Sequence, residues 1–134
     1  MRGRKPAGII AGTSTVTKAP PAPAWLSTDA KAEWRRVAHI LVNDRKVLTE
    51  ADLGTLESYC IATGTVREAH RALNRDGLVV AGKRHPAFGM MNAAQTTARL
   101  CAAELGLTPV SRSRPSIRDD GDNDNDNDNP LDIS

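Results

Sequence analysis

The sequence predicts a mainly α-helical protein, a three-helix core with one long central helix and a short β segment. Three observations predict it. From Leu48 to Gly77 a helix start signal, a long apolar stripe and a stop signal follow one another. Two flanking stretches repeat the three- and four-residue apolar spacing of one helix face. Aromatic residues are sparse, with only Trp25, Trp34, Tyr59 and Phe88. Apolar faces built of Ala, Leu and Val favour close helix–helix packing, or contacts between copies, over a thick private core.

The first stretch, residues 1–24, is rich in Gly, Ala, Pro and Thr with scattered positive charge, and it reads as a flexible basic arm. Its end, Ala19 to Pro23, reads as a stiff polyproline-like spacer. A helical domain over 25–110 follows, with Trp25-Leu26 at its start. Ser27 or Thr28 is placed to cap a first helix reaching about Asn43, on which Ala30, Trp34, Val37 and Leu41 form the buried stripe. Lys31, Arg35, Arg36 and His39 occupy its other faces.

The polar turn Asn43-Asp44-Arg45-Lys46 leads to the long helix. Thr49 and Asp52 form a short capping box, and Leu48 and Leu53 stand where a hydrophobic staple would. Leu53, Leu56, Cys60, Thr63, Val66, Ala69 or His70, and Leu73 make one stripe, and Asp76-Gly77 ends it. Gly64, in the middle, costs about 1 kcal/mol against Ala and marks either a kink or a close helix contact.

Leu78-Val79-Val80 is too short to stand alone as a strand, so it must pair within the chain or with a neighbour. A third helix is predicted from about Ala87 to Leu105, with Ala87, Met90 or Met91, Ala94, Ala98, Cys101 and Leu105 inward, and Gly106-Leu107 as its cap. Thr108-Pro109 should stop any further helix. Residues 111–134 are expected to be a disordered tail, basic and then acidic.

The formal net charge of +2 conceals an asymmetry. All 18 basic side chains but only nine of the 16 acidic ones lie in residues 1–118, a net of +9 by subtraction, while seven Asp residues crowd 119–134. A basic body of this kind points to polyanions. Phosphate contacts are expected from Arg2, Arg4 and Lys5 on the arm, Arg35 and Arg36 on the first helix, Lys83 and Arg84 at the Gly82 turn, and Arg112 and Arg114 after the third helix. The acidic tail would serve as a contact for a partner or as a competitor for the basic surfaces; as a competitor, its deletion tightens nonspecific DNA binding.

Catalytic and metal chemistry have no foothold in these residues. There is no G-x-x-x-x-G-K-[ST] phosphate loop, no nucleophile elbow and no His/Cys set at ligand spacing. The Asp-Asn alternation lacks the Gly and the closing Glu of a calcium loop. No enzyme activity, cofactor or metal is therefore expected. Cys60 and Cys101 read as reduced thiols on apolar helix faces. No apolar run approaches membrane-spanning length and no signal-peptide core is present, so a cytosolic protein is expected.

Several runs in order resemble the terminase small subunit of tailed double-stranded-DNA bacteriophages. They are Gly3-Arg4-Lys5-Pro6; Pro23-Ala24-Trp25-Leu26 with Ala30 and Trp34; Leu48-Thr49-Glu50-Ala51-Asp52; Asp76-Gly77-Leu78-Val79-Val80; His85-Pro86-Ala87; and Ala102 to Pro109 followed by Ser111-Arg112. The likeness spans about residues 3–114. It implies a helical, non-catalytic protein that assembles into a homo-oligomeric ring in the cytoplasm of an infected bacterial host. It also implies double-stranded viral DNA and the large terminase subunit, which carries the ATPase and nuclease, as partners. The segment between Val80 and His85 is shorter than the insert usual in that family, and the acidic tail lies outside its pattern.

The alternative is a helix-turn-helix transcription regulator that binds DNA as a dimer, with the long helix entering the major groove by its N-terminal end. That end reads Thr49-Glu50-Ala51-Asp52. Its acidic residues would repel phosphate.

Overall fold

A computed structural model describes residues 15–113. Arg2, Arg4, Lys5 and Arg114, with the acidic tail, lie outside the described residues. The described part is mainly helical, with a short two-stranded antiparallel sheet.

Helix α1 spans Thr28–His39. Ser27 caps it, its Oγ accepting from the Ala30 N–H at 3.2 Å. The helix widens into a π turn over Ile40–Asp44, closed by the Arg45 N–H on the Ile40 carbonyl. Arg45 then reaches the Gly106 carbonyl just past the end of a later helix, where a cation complements the exposed carbonyl end.

The start expected at Thr49 is present. The Asp52 carboxylate accepts from the Thr49 N–H at 3.0 Å and from its hydroxyl at 2.9 Å, opening a 3-10 turn over Glu50–Asp52. Helix α2 continues over Leu53–Asp76, about 36 Å of helix. Gly77, with φ 88°, ends it.

Strands β1 (Val79–Val80) and β2 (Lys83–Arg84) pair with each other, so the partner of the short apolar run is within the chain. Helix α3 spans Pro86–Glu104 and runs back along α2.

Both α1 and α3 pack on α2, which makes it the central element. It therefore buries two faces rather than the single stripe expected. Tyr59, Ala62 and Gly64 are buried along with Leu56, Cys60, Ala69 and Leu73, whereas Thr63 and Val66 are only partly covered. The main core joins Ala30, Trp34, Val37 and Leu41 of the first helical segment to Leu48, Leu56, Cys60 and Leu105. A smaller cluster of Ala69, Leu73 and Ala87, flanked by Phe88 and Met91, holds the other end of α2 against the start of α3.

Two further features differ from expectation. The Ala19–Pro23 spacer lies on α1, because the Trp34 indole N–H donates to the Pro20 carbonyl at 2.9 Å. Just before it, the Val16 N–H donates to the Leu48 carbonyl at 2.7 Å. A buried Trp needs a partner for its N–H, and this strap supplies one.

Thr108-Pro109 does not stop the helical chain but restarts it, as the short α4 over Pro109–Arg112. Thr108 Oγ1 accepts from the Ser111 N–H at 3.1 Å, and proline suits a first helical position because its missing N–H would have no partner there.

Candidate nucleic-acid interface

The hairpin projects where α2 ends and α3 begins. Its two-residue turn places both Ala81 (φ 54°) and Gly82 (φ 78°) in the left-handed region. That geometry matches the twist of paired strands.

His85 secures its base. Its Nδ1 accepts from the Ala87 N–H at 2.9 Å, capping α3, so the neutral ring carries its proton on Nε2, 2.9 Å from an Asp76 carboxylate oxygen. Arg75 grips the same carboxylate through two hydrogen bonds. With Arg75 first and His85 second, the hydrogen bonds hold the Asp76 carboxyl down at about 2.

Lys83 and Arg84 both stand exposed on β2. The Arg84 guanidinium lies 5.0 Å from the centre of the Phe88 ring, a cation–π arrangement that orients it without neutralising it. Lys83 has no ion-pair partner among the described residues.

Arg35 and Arg36 separate. Arg36 is engaged by Glu33, its Nε donating to one carboxylate oxygen at 2.9 Å and its Nη2 to the other. Glu33 is 1% exposed. It also accepts from Arg67 at 2.9 Å and from the Tyr59 hydroxyl at 2.6 Å, linking α1 to α2. Burial is the largest single influence on its carboxyl and works against ionisation. The hydrogen bonds from Arg36 and Tyr59, the Arg36 charge and the hydrogen bond from Arg67 together outweigh it and hold the group at about 2. Arg36 is thus committed to structure. Arg35, exposed, faces the strap of residues 19–24 beside Lys31 and His39.

Arg112 is exposed on α4. Among the described residues expected to contact phosphate, only Lys83 and Arg84 are brought together. Lys31 and His39, which flank Arg35, were not among them, although their spacing at i, i+4 and i+8 is legible in the sequence.

Cys60 and Cys101 are free thiols, and burial pushes the Cys60 thiol up to about 12. No group of three or more His, Cys, Asp or Glu among the described residues is placed to hold a metal ion. No helix among them is long and apolar enough to cross a membrane.

Fold and surface together define a small helical domain with outward-facing basic side chains on a hairpin and on its first helix. The family model described as phage terminase, small subunit, matches residues 30–122, and the chain belongs to that family. No curated protein and no solved structure matches it.

Proposed function

We propose that this chain is the DNA-binding component of a phage packaging machine: it holds double-stranded viral DNA and delivers it to a large terminase subunit that performs the ATPase and nuclease chemistry. Membership of the small-subunit family over residues 30–122 carries this reading. The chain itself contributes binding rather than catalysis. Lys83, Arg84, Arg35 and Arg112 would contact phosphates, joined by Arg2, Arg4, Lys5 and Arg114 from the two ends of the chain. Arg36 is withdrawn from that set because Glu33 holds it.

Copies of the chain are proposed to form a ring, which multiplies weak phosphate contacts by avidity. Exposed apolar side chains on α2 and α3, among them Ile61, Met90 and Leu100, support assembly. The dimeric transcription-regulator reading is disfavoured by the start of α2. Thr49 is buried, Thr49 and Asp52 are spent on each other, and the exposed charged residue there is the acidic Glu50.

Native mass measured by light scattering over a range of concentrations tests the ring. A discrete assembly of many subunits is expected. A clean dimer would favour the regulator, and a persistent monomer would remove the ring.

A further inference from the structure

Lys31, Arg35 and His39 fall at i, i+4 and i+8 on α1, so their side chains rise from one stripe about 6 Å apart along the helix axis. Opposite them runs the strap of residues 19–24, fastened by Trp34 on the Pro20 carbonyl. Stripe and strap enclose a groove of about 500 Å³. Its remaining lining is proline and alanine with Trp34, and among the described residues no carboxylate lines it.

The two acids of α1 are turned to other work. Asp29 pairs with Arg71, and Glu33 is buried among Arg36, Arg67 and Tyr59. Among the described residues, no hydrogen bond or ion pair to another protein group engages the side chain of Lys31, Arg35 or His39. Two cations and an imidazole thus share a groove with low-dielectric walls and, among the described residues, no counter-charge. Such walls concentrate a positive field.

We propose that this groove is a track for one phosphate strand of duplex DNA, with Lys31 and Arg35 contacting successive phosphates and His39 adding a hydrogen-bond donor at the end of the row. The inference rests on the reading of the chain as a DNA-binding subunit and adds to it a site that the hairpin does not supply. It also separates two adjacent arginines: Arg35 binds DNA, and Arg36 does not.

The test is a salt titration of the affinity of the full chain for a short duplex, followed by fluorescence anisotropy. Wild type is compared with the double variant Lys31→Gln/Arg35→Gln and with Lys46→Gln/Arg99→Gln, which removes the same charge from exposed positions outside the groove. Thermal melts monitored by circular dichroism confirm that each variant folds.

Loss of two phosphate contacts should flatten the slope of log affinity against log salt by about two for the groove variant, with the outside variant changing it by less than one. Returning lysine at position 35 (Arg35→Lys with Lys31→Gln) should recover about half of that loss. A wild-type slope in the groove variant, or the same change in both variants, overturns the track while leaving DNA binding intact. Failure of the wild-type chain to bind any duplex at low salt overturns the DNA-binding reading, and the track with it.

Discussion

Glu33 shows how much a single side chain decides here. It is a buried carboxylate shared by two arginines and a tyrosine from two helices. Its folded pKa of about 2 lies below the ordinary value of 4.5. Its contribution to stability is therefore fully present above about pH 4.5 and is lost as the pH falls through about 2. Glu33→Gln should lower stability by about 1–3 kcal/mol near neutral pH, since it removes the carboxylate charge and one of the two acceptor oxygens that Arg36 and Arg67 share. Urea midpoints should then converge with those of wild type as the pH approaches 2. A gap that stays constant with pH would contradict the charge-based account. The sequence displays Arg35 and Arg36 as equivalent cations; what distinguishes them is a carboxylate three residues back and a tyrosine on another helix. The first signal was readable, the second only through the fold.

Among the elements, α2 governs the rest, and at Gly64 it passes close to α1. A Cβ there would stand 3.0 Å from the Ala30 nitrogen, 3.2 Å from Ser27 Oγ and 3.3 Å from the Ala30 Cα, against the capped first turn of α1. Of the kink and the close contact expected from the sequence, the close contact is the one supported. Gly64→Ala should destabilise by about 1–2 kcal/mol, because the steric cost of forcing the helices apart exceeds the roughly 1 kcal/mol gained in helix propensity. A raised urea midpoint would show that α1 yields freely.

The ends of α2 and α3 were legible because caps are local chemistry: Thr49 with Asp52, Gly77 and Gly106 each act within a few residues. The two buried faces of α2 were not, since Tyr59 and Ala62 are covered by helices that the sequence does not position. The strap over Trp34 was missed for a related reason. Proline-rich composition indicates stiffness, but not the surface on which the segment lies.

At the scale of the whole molecule, the family and the mainly helical architecture were readable from ordered short runs and from apolar spacing. The basic surface was readable only as a total. Of the eighteen cations in the sequence, those in the described fold divide between some held by Glu33, Asp29 and Asp76 and others facing outward, among them those on α1 and the hairpin. Those outward cations are proposed to serve DNA. The affinity of the full chain for viral duplex, measured from low to moderate salt, is the test. Tight binding is expected at low salt, with a steep linear fall of log affinity against log salt. No binding at the lowest salt, or an affinity indifferent to salt, would contradict it.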